Sequence, residues 1–181
     1  MTTIKLVSWN VKGISNKTKR YKIITHLKPL ESDVAMLQET HLKNAEAVKL
    51  RQRWVGQVFS APGTGASRWV STLIAKRLSF KLTQEIADKD GRYIIISGFL
   101  QNIKCTLVNV YAPNTGQAEF LSRLNMILAQ FSADPIFMGG DFNLEPVLRS
   151  KIWRWRGNFR FNPGFTVLRR WITCYRGRSP W

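Results

Sequence analysis

The strongest constraint on the fold is a repeated alternation of short apolar runs with segments of helical spacing. The runs are rich in β-branched and aromatic residues and are bounded by Gly, Pro, Asn or Asp, as is typical of buried strands. Residues 21–30 and 118–131 instead place their apolar residues at the period of a helix. This alternation predicts an α/β fold with no internal repeat.

Seven strands and two helices are predicted from this pattern. The strands are expected at residues 4–9, 34–38, 58–60, 70–75, 93–99, 105–111 and 135–140. The helices are expected at 21–30, where Pro29 stops the first, and at 118–131. Residues 43–53 are charged and tolerate a helix, residues 62–67 form a turn-rich loop, and residues 88–91 supply a turn between two β-rich runs.

Net charge is the unusual property of the composition. The 181 residues include 28 Lys and Arg but 11 Asp and Glu, a formal net charge of +17. The apolar fraction of 44% is ordinary for a globular domain and argues against disorder or low complexity. Such an excess of positive charge predicts a polyanionic partner, with nucleic acid favoured over a membrane surface. The alternative is a solvated basic surface.

The C-terminal segment differs from the rest of the chain. Residues 146–181 hold nine Lys and Arg, no Asp or Glu and four of the seven Trp, whereas residues 1–145 hold 19 basic and 11 acidic residues. Interleaved Arg and Trp can place guanidinium groups on phosphates and indoles on bases. The segment has neither helical nor strand periodicity, so appended or out-of-frame sequence is the alternative. We therefore predict a domain at residues 1–145 and a basic tail at 146–181.

Cysteine usage and the N-terminus bear on the cellular compartment. Cys105 and Cys174 form no CxxC pair, and Cys105 lies in an apolar run, where it is expected to be a small core residue. This usage indicates a reducing compartment. No signal-peptide pattern opens the chain, and no apolar stretch approaches the roughly 18 residues of a membrane span. We expect an intracellular, nuclear protein with no membrane partner.

Polar residues recur at the ends of the predicted strands. Asn10 follows the first strand, Glu39 the second, Tyr111 a later one, and Asp141 with Asn143 the last. When several strands of one sheet each deliver a polar group at the same edge, those groups can converge. A Glu and an Asp among amides are ligands that hard divalent cations prefer. Taken singly, each residue has a plainer reading, as a turn, a cap or a solvated carboxylate.

Four short motifs together resemble a known family. They are SWNV at residues 8–11, LQETH at 37–41, NVYAPN at 109–114 and GGDFN at 139–143. In their order and spacing the sequence resembles the endonuclease/exonuclease/phosphatase superfamily, in particular the apurinic/apyrimidinic endonuclease-like nucleases of LINE-type retrotransposons. The resemblance covers residues 4–145. It implies a four-layered α/β sandwich, in which helices flank two packed mixed sheets.

The resemblance also implies Mg²⁺-dependent hydrolysis of phosphodiesters in DNA, with Mn²⁺ as an alternative ion. Glu39 would be the metal carboxylate, and Asn10 beside it would help to hold the metal and the active-site network. Asp141 would orient and deprotonate the attacking water, Asn143 would place that water and a phosphate oxygen, and Tyr111 would donate to a phosphate oxygen. In-line attack needs these residue types, because it requires a Lewis acid, a base and neutral donors.

The sequence departs from the family pattern at two places. Family members are normally longer and end in a Ser-Asp-His-type motif, preceded by an Asp that binds the phosphate or the leaving group. Here the histidines are His26 and His41, to neither of which we assign a catalytic role, and no Asp or Glu follows Glu145. We therefore expect a sandwich that is incomplete in its C-terminal half. Trp69 stands where the family usually has a small residue, and its ring is expected to crowd the sheet.

Three functions remain open at this stage. The first is a DNA-nicking endonuclease domain of the retrotransposon type, with activity that is weak or lost because the closing Asp and His are absent. The second is a non-catalytic, basic nucleic-acid-binding fragment. A small-molecule phosphatase is a weaker third reading, because the superfamily includes such enzymes. The LQETH motif and the basic surplus favour DNA, while the oligomeric state is not predicted.

Overall fold

The computed structural model describes residues 4–42, 44–61 and 69–143, which contain two four-stranded sheets. The first sheet comprises β1 (Leu6–Asn10), β2 (Val34–Gln38), β3 (Val55–Ala61) and β4 (Val70–Ala75). Its strand order is β1-β2-β4-β3. β1 and β2 are parallel, whereas β4 runs antiparallel to β2 and to β3.

The second sheet follows chain order. It comprises β5 (Phe80–Ala87), β6 (Tyr93–Leu100), β7 (Ile103–Tyr111) and β8 (Ile136–Asp141). The first three strands form an antiparallel meander, and β8 pairs with β7 in parallel. Each sheet therefore has one parallel pair, and each of these pairs is joined by a helical crossover.

The described helices are α1 (Lys17–Leu27), α2 (Asn44–Ala47) and α3 (Gln117–Leu128). The first connects β1 to β2, and the third connects β7 to β8. α1 begins after Asn16, whose side chain accepts the N–H groups of Thr18 at 2.8 Å and Lys19 at 3.2 Å. This cap satisfies backbone donors that have no partner within the helix.

Three apolar clusters define four layers. One cluster fills the space between the sheets, a second joins α1 to the outer face of the first sheet, and a third joins α3 to the outer face of the second. Representative members are Met36 and Leu107 between the sheets, Ile24 and Leu37 in the α1 cluster, and Val108 and Leu124 in the α3 cluster. The order helix, sheet, sheet, helix confirms the four-layered α/β sandwich.

Several elements differ from the sequence predictions. The first helix starts at Lys17 rather than at residue 21, because Asn16 caps it. The described part of this range, residues 44–53, contains α2 and a 3₁₀ turn at Val48–Leu50, and β3 begins at residue 55 rather than at 58. β5 was not predicted at all. It is an edge strand with mostly exposed side chains, so it lacks the apolar run that marks a buried strand.

Cys105 lies in the core, and the turn at residues 88–91 joins a different pair of strands from the expected one. Cys105 is a free, buried thiol in the inter-sheet cluster, and burial raises its pKa to about 12. The prediction of a core residue is confirmed. The turn joins β5 to β6, so one of the two strands that it connects differs from the expected pair.

Trp69 does not crowd the sheet as expected. Its ring is buried in the α1 cluster, and β4, which begins at the next residue, pairs regularly with β2. Its carbonyl accepts the N–H of Thr40 at 3.0 Å, and its own N–H donates to Gly91 at 3.2 Å. The strain lies in the backbone instead, because Trp69 has φ 96°, a conformation that side chains with a Cβ disfavour.

We expect Trp69→Gly to be more stable than Trp69→Ala by about 1 kcal/mol, because only glycine adopts this backbone conformation without strain. Both variants lose the buried ring and are destabilised relative to the parent chain. Urea unfolding at equilibrium measures the difference. The matched pair Val70→Gly and Val70→Ala, in regular strand, should show the opposite order. An Ala variant at position 69 more stable than the Gly variant would contradict the expectation.

Candidate active site

The strands that carry the predicted site residues end at one edge of the sandwich. β1 ends at Asn10 and β2 immediately precedes Glu39, while β7 ends at Tyr111 and β8 ends at Asp141. A single sheet was expected to supply these groups; instead, each sheet supplies two. They converge because β1 and β8, the edge strands of the two sheets, contact each other across the sandwich.

Asn10 joins the two carboxylates. Its Nδ2 donates to Glu39 Oε1 at 2.8 Å and to Asp141 Oδ2 at 2.9 Å. Its Oδ1 accepts the backbone N–H of Lys12 at 3.1 Å, which holds the amide in this orientation. Because one NH₂ group reaches both carboxylates, Glu39 and Asp141 face a single small site.

The backbone around the site adopts uncommon conformations. Lys12, Glu39, His41 and Asn143 all have positive φ, between 46° and 54°. Left-handed conformations of residues with a Cβ typically cost about 1–3 kcal/mol and concentrate at functional sites. Left-handed residues therefore occur in each of the loops that follow β1, β2 and β8, beside the site.

Two glycines precede Asp141 because the chain is tightly packed there. A Cβ on Gly139 would lie 2.8 Å from the Sδ of Met36 in the opposite sheet. Gly140 has φ 154°, and a Cβ on it would collide with the carbonyl of Val110. Gly139 thus lets the two sheets approach closely near the site, whereas Gly140 lets β8 pass close to β7 within its own sheet.

Tyr111 completes the group of side chains. Its hydroxyl donates a hydrogen bond to Glu39, so Glu39 accepts from both Asn10 and Tyr111. Burial, this hydrogen bond and the Glu39 and Asp141 charges raise the pKa of Tyr111 to about 12, while Arg92 acts in the opposite direction. The hydroxyl therefore remains a neutral donor throughout the physiological pH range.

The raised pKa of Tyr111 predicts a loss of stability in alkaline solution. Between pH 10 and about 12 a tyrosine in the unfolded chain loses its proton while Tyr111 in the folded chain keeps it. The unfolded state then binds fewer protons, so the free energy of unfolding should fall as pH rises. Denaturant titrations of the parent chain and of Tyr111→Phe, repeated from pH 8 to 11, measure this fall in the free energy of unfolding. An equal decline in both chains would contradict the expected role of Tyr111.

Asn143 lies beside Asp141, but its side-chain amide is bonded to the backbone of Ala112. Its backbone N–H donates to Asp141 Oδ1 at 3.3 Å, and its Nδ2 donates to the carbonyl of Ala112 at 2.8 Å. Gln117, at the start of α3, donates to the Asn143 carbonyl at 3.0 Å. The structure therefore brings Asn143 to the site, and it shows Gln117 as a support that sequence reasoning missed.

Arg92 is a second residue that sequence reasoning missed. Its carbonyl accepts the Tyr111 N–H at 2.6 Å, and its own N–H donates to Asp88 Oδ2 at 2.9 Å. Its positive charge lowers the pKa of Tyr111 against the larger effect of burial and the carboxylates. The sequence did contain a signal, since Arg92 is a basic residue directly after the Asp88–Gly91 turn. That turn was interpreted only as a connection between strands.

The two histidines take positions that suit structural roles. His26 is exposed on α1, where its ring meets Trp9 edge to face with 5.4 Å between centroids. His41 packs against Gly13, and its Nε2 is buried without a hydrogen-bond partner among the described residues. Cys174 and the basic tail at 146–181 fall outside the described ranges. Within those ranges, no helix has the length and apolar character needed to cross a membrane.

Comparison with known proteins agrees with this architecture. The sequence matches the endonuclease/exonuclease/phosphatase family over residues 7–181. It is 27% identical over 143 residues to the transposon TX1 uncharacterized 149 kDa protein of Xenopus laevis, a match that covers 77% of this chain and 11% of that protein. The chain thus spans about a tenth of the length of this relative.

Solved structures share the fold. D. rerio TDP2 complexed with a single-strand DNA product superposes with a TM-score of 0.60 at 18% identity, covering 83% of this chain and 64% of that one. The endonuclease domain of TRAS1, a telomere-specific non-LTR retrotransposon, superposes with a TM-score of 0.59 at 15% identity, covering 80% and 62%. The predicted resemblance to retrotransposon-type members is confirmed. The chain belongs to the endonuclease/exonuclease/phosphatase family.

Proposed function

We propose that this chain is a Mg²⁺-dependent phosphodiesterase domain that nicks DNA in the manner of a retrotransposon endonuclease. One observation carries the proposal. The Asn10 amide joins Glu39 from one sheet to Asp141 from the other, with the Tyr111 hydroxyl on Glu39. Two carboxylates, an amide and a neutral hydroxyl in one place are the groups that phosphodiester hydrolysis requires.

The donor set fits a hard divalent cation. Glu39 and Asp141 present carboxylate oxygens at a partly exposed edge, whereas no three His, Cys, Asp or Glu side chains gather as a metal site within the described ranges. Mg²⁺ keeps several waters and is usually held by one or two carboxylates together with substrate phosphates. When bound, it would act as a Lewis acid on the phosphoryl oxygens. We assign Glu39 as the ligand, with Asn10 holding the site together.

The remaining residues act on water and phosphate. Asp141 is nearly buried and accepts from Asn10, so it is held in place to orient the attacking water and remove its proton. Tyr111 stays protonated and turns its hydroxyl hydrogen bond from Glu39 to a phosphate oxygen. Asn143 releases its amide from Ala112 to place the water and a second phosphate oxygen. These donors act on charge that develops in the transition state.

DNA is the proposed substrate because of charge. The net charge of +17 favours a polyanion. The exposed Lys12 follows Asn10 by two residues, and the half-buried Lys19 donates its ammonium to the Lys12 carbonyl at 2.8 Å. The TDP2 structure that shares this fold contains a single-strand DNA product, and the TRAS1 domain is an endonuclease. We accordingly propose a nuclear location. A non-catalytic basic DNA-binding fragment is the second candidate, supported by the same charge.

Removing the Glu39 carboxylate should abolish the response to metal. We expect millimolar Mg²⁺ or Mn²⁺ to raise the thermal unfolding temperature of the parent chain, since an ion that binds only the folded state stabilises it. Glu39→Gln should show no rise, because it keeps the size of the side chain and removes its charge. Glu119→Gln, exposed on α3, is the matched control and should respond like the parent. A metal response that survives Glu39→Gln would contradict the assigned ligand.

Nicking of supercoiled plasmid decides between the two candidates. A phosphodiesterase should produce nicked circles with Mg²⁺ and none with chelator, whereas a binding fragment should shift the plasmid in gels under both conditions and cut under neither. Inositol phosphates and other small phosphate esters, tested in parallel, cover the phosphatase reading. Hydrolysis of those esters without nicking would exclude DNA as the substrate.

A further inference from the structure

Three buried polar side chains lie directly beneath the site, between the two sheets. They are Ser8 of β1, Gln38 of β2 and Asn109 of β7, each no more than 4% exposed. Deeper in the sandwich the same inward-facing positions are apolar, as at Met36 and Leu107. A polar layer therefore separates the apolar inter-sheet cluster from the carboxylates.

The layer is hydrogen-bonded across the sheets. Gln38 Nε2 donates to Asn109 Oδ1 at 2.7 Å and to Ser8 Oγ at 3.0 Å. Asn109 Nδ2 donates to two carbonyls of the first sheet, those of Leu37 at 3.2 Å and Ser71 at 3.1 Å. Asn109, which belongs to the second sheet, is thus fastened to three points of the first.

Chain connectivity links this layer to the site above it. Gln38 immediately precedes Glu39 and lies opposite Asn10 in the β1/β2 pair. Asn109 lies two residues before Tyr111 on the same face of β7, because alternate strand residues share a face. Gln38 and Asn109, which bond to each other across the sheets, therefore each lie within two residues of a site residue on their own strand.

We infer that Gln38, Asn109 and Ser8 are positioning residues, which set the placement of the Asn10 and Glu39 side of the site relative to the Tyr111 and Asp141 side. Apolar contacts between sheets are non-directional and tolerate small sliding movements, whereas hydrogen bonds constrain distance and angle. A productive site needs its groups held within about 0.5 Å. The inference rests on the proposed function for its consequences in catalysis, but not for its test.

The first test uses the unchanged chain without metal. Side-chain amide hydrogen exchange, followed by NMR, should be at least about 100-fold slower for Gln38 and Asn109 than for the exposed amides of Asn102 and Asn125. The Asn10 NH₂ should also be protected, because both of its protons are bound by carboxylates. Exchange of Gln38 and Asn109 as fast as that of the exposed amides would overturn the inference.

The second test removes the two amides that bond across the sheets while keeping their volume. The double variant Gln38→Met with Asn109→Leu replaces both partners of the Gln38–Asn109 hydrogen bond by apolar groups of similar size. We expect its Asn10 amide to lose protection and its Mn²⁺ affinity, measured by electron paramagnetic resonance, to fall about tenfold or more. The control is Thr106→Val, which alters a buried β7 hydroxyl that has no hydrogen-bond partner in the described structure.

The outcomes separate the inference from the proposed function. If the parent chain binds no Mn²⁺, the proposed metal site is refuted. Loss of Asn10 protection in the double variant would still support the positioning role in that case. A folded double variant that keeps both Asn10 protection and Mn²⁺ affinity would refute the positioning role alone. If the double variant does not fold, the inference is tested by the exchange rates of the Gln38 and Asn109 amides in the unchanged chain.

Discussion

Replacing Asp141 with Ala is expected to lower Mg²⁺-dependent nicking of supercoiled plasmid by about 10²–10⁴-fold, the usual contribution of a general base. Asp141 is nearly buried at the end of β8, and Asn10 Nδ2 fixes its Oδ2 at 2.9 Å. The parent chain itself should nick orders of magnitude more slowly than a relative with the closing Asp and His, because losing even one preorganised group that stabilises the transition state costs about 10²–10³ in rate. Densitometry of nicked circles over time measures both effects.

Asp90→Ala is the matched control for Asp141→Ala. It removes one carboxylate from an exposed residue of the turn between β5 and β6, to which no catalytic role is assigned, so nicking should remain at the level of the parent chain. Robust nicking by the parent that Asp141→Ala eliminates would show that another residue replaces the absent histidine. Nicking that survives Asp141→Ala would point to a contaminating nuclease and would remove the support for the proposed base.

DNA affinity should fall steeply with salt. Raising monovalent salt from roughly 50 to 200 mM is expected to weaken binding by about 10³-fold or more, because positive charges release counterions from the phosphates. Residues 146–181 contribute nine of the 28 basic residues and no acidic ones. Replacing those nine by Gln should therefore reduce the slope of log affinity against log salt. Fluorescence anisotropy with a labelled duplex in chelator measures the slope without cleavage.

A variant with charges removed near the site provides the comparison for the variant with charges removed from residues 146–181. Replacing Lys12 and Lys19 by Gln removes two charges beside the site and should reduce the slope by about one unit per lost phosphate contact. An unchanged slope after the tail replacement would mean that residues 146–181 do not reach DNA. DNA binding that is insensitive to salt in the parent chain and in both variants would refute the hypothesis that the positive charge drives binding.

β2 and β4 were predicted at their exact bounds, because neither contains a charged residue and both are rich in apolar or β-branched residues. β2 and β4 are buried at every position, and such runs are recognisable without knowledge of their neighbours. β5 was missed because it is an edge strand whose side chains at residues 81–85 are all exposed, so no apolar run marks it. The early start of α1 was missed because Asn16 acts through its side-chain cap, not through apolar spacing.

The residue types of the site were predictable from the sequence: one Glu, one Asp, two Asn and a Tyr, each at the end of a predicted strand or within three residues after it. Their mutual placement was not, because it depends on how the two sheets pack. Asn10 reaches both Glu39 and Asp141 because the two sheets stack with β1 against β8. Periodicity records which face of a strand is buried, but it carries no information about which face of another sheet lies opposite, since that depends on packing between residues far apart in the chain.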